Sequence, residues 1–351
     1  MSFLLRVSSF LVVCFIASIS FALEGPSLTQ CPLAQAPQEE NLRSLVKEAH
    51  ACFKDVNEGE NFKGILALAK VDPRLFGVAI VTVKGEVYVA GDSEYAFAIE
   101  SISKPFTLAR VMQDHGEEAI VEKIGVEPTG LPFNSVTAVE VQKSKRDRPA
   151  GNPLVNAGAM AAVSLVKATS AAERWEKIAR DYDTFAGAKL SVNQEVYQSE
   201  AETNHRNRGI AELLFSYERL YADPLETADV YTKQCSVGVT TTQLATMGAT
   251  LANGGVNPFT GERAVDAKFV PKILAVMMMA GLYDGAGSWA WRTGLPAKTG
   301  VGGGIVAVVP GKFAIAAFSP PLDQFGNSVR GVRAIQYISK ELGLNLFDAR
   351  R

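Results

Sequence analysis

Two stretches near opposite ends of the chain carry β-branched and small apolar residues broken by a glycine turn. In "LFGVAIVTVKGEVYVAGD" the first run, the Lys84-Gly85 turn and the second run Val87 to Val89 predict a β-hairpin. "GGIVAVVPGKFAIAAFSP" predicts a second hairpin, turning at Pro310-Gly311. After it, Val332, Ile335, Ile338 and Leu342 recur at helical spacing, so Ser328 to Leu342 reads as a helix with those residues inward. Most of the intervening chain follows a period near 3.6. It predicts helices over Leu108–His115, Ala157–Ala168, Ala171–Asp181, Gly209–Leu220, Thr240–Asn253 and Lys268–Gly281. A further helix is expected from about Leu42 to Phe53, preceded by a tail or linker at 25–40 rich in Pro, Gln and Ser. Strands at both ends and helices between them predict an α+β fold: an antiparallel sheet built from the chain's two ends, flanked by helices, with a helical insertion over about 106–285.

The start of the chain obeys a different pattern. Arg6 precedes an apolar run from Phe10 to Ile19, and Ser20-Phe21-Ala22 offers the small residues a signal peptidase reads. We expect residues 1–22 to be a signal peptide, 23–58 an N-terminal linker and helix, and the mature protein to be periplasmic or secreted, without stable membrane association. The alternative is an uncleaved anchor, for which the run is short against the roughly 20 residues of a bilayer crossing. Cleavage would remove Cys14 and leave Cys31, Cys52 and Cys235, with no C-x-x-C spacing for a metal. Export permits a Cys31–Cys52 disulfide, and a reduced pair stays open as well; Cys235 in "QCSVGV" reads as a small packed hydrophobe. The 35 basic against 37 acidic residues give a net charge of −2, without the basic surplus that nucleic-acid binding requires.

Serine and lysine stand three apart at Ser44/Lys47, Ser101/Lys104 and Ser164/Lys167. The first and last pairs fall inside predicted helices, where a serine hydroxyl is expected to bond its own backbone. Ser101 differs, because Pro105 is tolerated only in a helix's first turn, which forces the helix containing Phe106 to Met112 to begin close to Ser101. There, free backbone N–H groups and the positive dipole end can hold a developing oxyanion, with Lys104 on the same face as the hydroxyl. The plain alternative is an N-cap serine beside a solvated lysine.

A late segment strengthens the chemical reading. "AKTGVGGGIVAVV" puts Lys298-Thr299-Gly300 at the start of a strand of small residues, with the Val301 N–H available as a donor. Ser-x-x-Lys opening a helix plus a late Lys-[Ser/Thr]-Gly strand is the arrangement of the penicillin-recognising serine enzymes, which need no histidine. Of the three histidines, His50, His115 and His205, none adjoins a nucleophile motif, so each reads as structural or superficial.

From about Gly59 to Leu344 the chain resembles the serine-dependent glutaminases of the β-lactamase-like fold. The strings "LAKVDPRLFGVAIVTVKGEVYVAGD", "IESISKPF", "EPTGLPFNSV", "GNPLVNAGAM", "VYQSEAETNHRNRG", "YTKQCSV", "LATMGATLANGGVNP", "MMMAGLYDGAGSWA" and "GLPAKTGVGGGI" follow that family's order. The resemblance implies a catalytic domain at 59–348 hydrolysing L-glutamine to L-glutamate and ammonia without metal or cofactor, in a homodimer or homotetramer. It implies Ser101 as nucleophile, Lys104 as its base and Tyr283 as a proton shuttle toward the leaving ammonia. Val301, with Ser101, would supply the oxyanion hole, and Asn152, Glu200, Asn207 and Tyr231 would hold glutamine, with Lys298, Thr299 and Gly300 in support.

The chain departs from the family at "KGILALA", where Gly64 stands in place of a tyrosine and removes one substrate-facing hydroxyl. The predicted export signal is a second departure. Two other functions compete: a β-lactamase or peptidoglycan peptidase, for which no Ser-x-Asn or Tyr-x-Asn triplet falls at a suitable place between Lys104 and Lys298, and a non-catalytic glutamine binder in which Gly64 marks a decayed site.

Overall fold

The structure, a computed structural model, describes residues 38–348. The predicted leader, Cys31 and the linker up to residue 37 lie outside them, while residues 38–40, expected in the linker, already belong to the first helix, Gln38–Phe53. Five strands form an antiparallel sheet in the order β2-β1-β8-β7-β6, where β1 is Gly77–Thr82, β2 Val87–Gly91, β6 Ala297–Thr299, β7 Gly304–Val309 and β8 Phe313–Phe318. Both expected hairpins are present. Their turns close with Gly85 and Gly311 at φ +84° and +73°, a conformation that costs glycine no side-chain clash. The join of the two chain ends is the β1–β8 pairing, with Gly77 opposite Phe318 and Thr82 opposite Phe313.

Strands β1, β7 and β8 are buried at every position. Alternation puts Val306 and Ala314 on one face, where helix Thr241–Ala252 crosses so closely that a Cβ on Gly248 would lie 2.6 Å from Val306. On the other face Gly331, in the C-terminal helix Val329–Glu341, lies against Ile305, and this helix packs on the first one, Gln38–Phe53. Covering both faces removes the need for a polar one, which is why the strands read as unbroken apolar runs.

The segment between the hairpins is largely helical, with longer, shorter or shifted elements: Lys104–His115, Asn156–Leu165, Ala171–Ala186, His205–Ser216 and Val270–Ala280. Periodicity missed Val136–Arg146, Gln194–Thr203 and Pro224–Cys235, whose exposed faces are mixed and whose apolar positions are few. It also missed a small second sheet, β3 (Phe97–Ala98), β5 (Val237–Val239) and β4 (Ser191–Val192), in the order β3-β5-β4. Strands of two or three residues leave no pattern to read. The small sheet matters because Phe97 pairs with Val239 and the Ile99 N–H donates to the Val237 carbonyl, so the residues before Ser101 are tied to the end of the Pro224–Cys235 helix.

Cys52 is disulfide-bonded, and the expected partner Cys31 lies outside the described residues. His50 stacks on Phe76 and His115 bonds the Leu165 carbonyl, both structural uses, while His205 is exposed. Ser164 bonds its own backbone at Ala161 as expected, whereas Ser44 donates to the Glu48 side chain, because a carboxylate one turn on is a stronger acceptor than a carbonyl already in the helix ladder. Among the described residues no single helix is long and apolar enough to cross a membrane.

Candidate active site

The helix that Pro105 announces begins as a 3₁₀ turn over Glu100–Ser103 and continues as Lys104–His115. Ser101 lies in that first turn, and both it and Lys104 are buried, at 5% and 1% exposure. The Lys104 ammonium is therefore not solvated. Its Nζ donates to Asn156 Oδ1 at 2.7 Å and lies 3.4 Å from the Leu154 carbonyl, both neutral acceptors. Burial pulls Lys104 down to about 8, against the opposing pull of Cys235, Glu100 and Glu200 in their ionised forms. A lysine in that range can act as a base near neutral pH.

Asn156 is the hub of the site. Its Oδ1 also accepts the Tyr231 hydroxyl at 3.0 Å, and its Nδ2 donates to Asn207 Oδ1 at 3.0 Å. These partners fix which end of the amide is oxygen. Asn152, the other asparagine of "GNPLVNAGAM", is placed elsewhere: its Nδ2 donates to the Glu127 carbonyl and its Oδ1 accepts from the Leu154 N–H. It thus shapes the loop entering the Asn156–Leu165 helix and borders a neighbouring cavity, while Asn156 faces the one with Ser101. The expectation that Asn152 faces this cavity is corrected. Two asparagines one turn apart offered no local signal to choose between them.

The Lys298-Thr299-Gly300 segment arrives along β6 at the sheet edge. Cβ atoms on Gly300 and Gly302 would lie 2.8 Å from the Ile99 carbonyl oxygen and 2.5 Å from that of Ala98, so only glycine lets this strand lie against the Ser101 turn. Lys298 is wholly buried and donates to the carbonyls of Gly281 at 2.9 Å and Thr299 at 2.7 Å, with its Nζ 4.2 Å from the centre of the Tyr283 ring. Burial drives its pKa well below the ordinary lysine value, and the charge of Lys104 adds to the shift. Lys298 is thus a brace between β6 and the Gly281 turn. Tyr283 hydrogen-bonds to Ser101 and lies 3.4 Å from the Thr299 carbonyl, its phenol pushed upward mainly by burial. Tyr283 and Glu100 are two of four non-glycine residues at positive φ among those described, at +53° and +50°. Strain at both sides of the hydroxyl is the kind that tertiary packing maintains where geometry serves chemistry.

Ser101, Val301, Glu200, Asn207, Tyr231 and Asn156 line one cavity of about 260 Å³. Glu200 is buried, its Oε2 has no hydrogen-bond partner, and burial raises its pKa. The site accordingly offers a hydroxyl with a buried lysine one turn on, Val301 from the glycine-rich segment after β6, an acid for a cation and amides for a carboxylate. Arg206 is exposed at the mouth. Gly64 lines the same cavity, and a Cβ there would lie 2.7 Å from the Phe62 ring, which fills the space a side chain at 64 would use. Sequence reading also missed Glu100 and Cys235, which with Glu200 bring one oxygen or sulfur each to within 4.8 Å of the others. Such a grouping could ligate a cation only with both carboxylates ionised, beside the lysine they would have to share.

A family model described as "Glutaminase" matches residues 59–347. The chain is 50% identical over 315 residues to a glutaminase of Colwellia psychrerythraea, covering 90% of this chain and all of that one. It is 53% identical to glutaminase 1 of Shigella flexneri over 306 residues, 87% of this chain and 97% of the other. Among solved structures, the "probable glutaminase ybaS" superposes with a TM-score of 0.87 at 51% identity, covering 89% of this chain and all of that one. A probable glutaminase of Bacillus subtilis superposes with a TM-score of 0.78 at 30% identity, covering 88% and 97%. With its mixed sheet, its helical insertion and this match over nearly the whole described chain, the protein belongs to the glutaminase family.

Proposed function

We propose that the chain hydrolyses the side-chain amide of L-glutamine to L-glutamate and ammonia through an acyl-enzyme on Ser101. The observation that carries this is the buried Lys104, held near 8 and facing neutral Asn156 rather than a carboxylate, one helical turn from a hydroxyl at a helix start. Neutral Lys104 takes the Ser101 proton as Oγ attacks the amide carbon. The oxyanion forms against the N–H groups of Ser101 and Val301. Tyr283, bonded to Ser101, passes a proton to the departing nitrogen, and ammonia leaves. Water, deprotonated by the same pair, then cleaves the γ-glutamyl ester. Glu200 pairs with the substrate's α-ammonium, and Asn156, Asn207 and Tyr231 face its α-carboxylate.

The test is a coupled assay of glutamate release. Ser101→Ala, folded by circular dichroism, is expected to release no ammonia, and wild-type turnover in that variant rejects the nucleophile. Stable acylation by labelled penicillin would instead favour the penicillin-type reading. Export and assembly belong to the same proposal: the mature chain would begin at Leu23, read by N-terminal sequencing, and would scatter light as a homodimer or homotetramer.

A further inference from the structure

Glu100 immediately precedes the proposed nucleophile, yet the mechanism above does not use it. Its side chain is 3% exposed, it lines the Ser101 cavity, and its Oε1 has no hydrogen-bond partner. Glu200 enters the same space from helix Gln194–Thr203 with its own unpartnered Oε2. Their oxygens and the Cys235 sulfur fall within 4.8 Å of one another. Two carboxylates this close, out of water, cannot both carry charge at modest cost.

The other groups facing Glu100 do not relieve the conflict. Lys104, on the same helix, supplies positive charge, but its ammonium is already held by Asn156 and Leu154. Cys235 and Tyr231, from the Pro224–Cys235 helix, and Tyr283 are all raised by burial and stay protonated. Lys298 on β6 is occupied by two carbonyls. Burial and the charge of Glu200 both favour the protonated form of Glu100, and only Lys104 opposes them. The charge count of the reaction then decides the outcome. The substrate's α-ammonium needs one carboxylate, and Ser101 needs a neutral Lys104. Two anions at positions 100 and 200 would each hold the proton on Lys104.

We propose that Glu100 works as a neutral carboxylic acid, keeping a proton beside Glu200 so that a single negative charge meets the α-ammonium and Lys104 remains free to deprotonate. The proposal rests on the glutaminase reading and makes Glu100 a positioning residue, acting through Glu200 and Lys104. The sign is fixed. Glu100 holds its proton at low pH and loses it as pH rises, so its ionisation closes the alkaline side of the rate profile. Lys104 opens the acid side, because its neutral form grows with pH. The limbs are apparent values of a coupled set rather than of either residue alone.

Glu100→Gln is the test, since the amide keeps the shape and a donor but can neither ionise nor charge. In kcat measured across pH on glutamine, the variant is expected to lose the alkaline limb. Its acid limb should stay where it is, because Glu100 is already neutral over that range and Glu200 still supplies the one charge beside Lys104. Glu100→Ala, which removes the donor as well, is expected to lower kcat/KM by about tenfold or more. A Glu100→Gln profile that superimposes on the wild type overturns the proposal. So does a uniform rise in KM of about tenfold or more with both limbs in place, which would mean that the charge at 100 binds the ammonium. Wild type that releases no ammonia at any pH rejects the glutaminase reading itself, and does so before any variant is made. If the variants do not fold, infrared spectra of the wild type with product glutamate bound decide the matter. A protonated carboxyl band persisting at neutral pH supports the proposal, and its absence ends it.

Discussion

Replacing Asn156 by aspartate changes one atom at the hub and should silence the enzyme at neutral pH without removing a catalytic group. Asn156 Oδ1 lies 2.7 Å from Lys104 Nζ, and burial holds that lysine at about 8. At pH 7 about one molecule in ten therefore has the neutral base. A carboxylate at this distance favours the ammonium and raises a lysine by about 1–3 units. The neutral fraction, and kcat at pH 7 with it, falls by about 10- to 1,000-fold. The loss should be recovered by about tenfold per pH unit as the solution is made more alkaline, until the shifted value is reached. The assay is ammonia release at saturating glutamine across pH, with circular dichroism as the control for folding. An acid limb left in place, with kcat reduced equally at every pH, would refute the argument that a neutral partner keeps Lys104 basic.

Tyr283→Phe removes the hydroxyl bonded to Ser101 and should lower kcat by about 100-fold or more with KM little changed, as expected for a lost proton shuttle; steady-state kinetics separate the two. Asn152→Ala breaks one buried and one part-buried hydrogen bond away from the cavity and should cost about 1–3 kcal/mol of stability, read by denaturant unfolding. Asn207→Ala should instead raise the glutamine KM by about tenfold, and equal KM effects from the two would contradict their different placements. Gly64→Tyr should not tighten glutamine binding by itself, because Phe62 occupies the path of the new side chain; adding Phe62→Ala should lower KM relative to the single variant, by calorimetry or kinetics.

The parts of the fold read well from sequence are those where one local rule dominates. The two long hairpins combine unbroken apolar runs with glycine turns, and Pro105 fixes the start of the Ser101 helix within a few residues. The pairing of β1 with β8 could be guessed only from topology, since no local signal records which strands meet. The short β3-β5-β4 sheet could not be read at all, and it is what sets Glu100 beside Cys235. The site divided in the same way. Ser101 and Lys104 stood out because proline and spacing constrain them jointly. Asn156 and Glu100 acquire roles from what surrounds them: a lysine 52 residues earlier in one case, and a carboxylate 100 residues later in the other. Burial, the cause of every large pKa shift in the cavity, is a property of the assembled fold.

The central claim is that the Ser101 hydroxyl, deprotonated by Lys104, forms a covalent bond to the substrate. Rapid acid quenching of wild-type protein during turnover of L-glutamine, followed by peptide mass spectrometry, tests it most directly. A mass increase of one glutamyl group on the peptide containing Ser101, absent from Ser101→Ala, is the predicted result. A labelled residue other than Ser101, or wild-type ammonia release by Ser101→Ala, would contradict it.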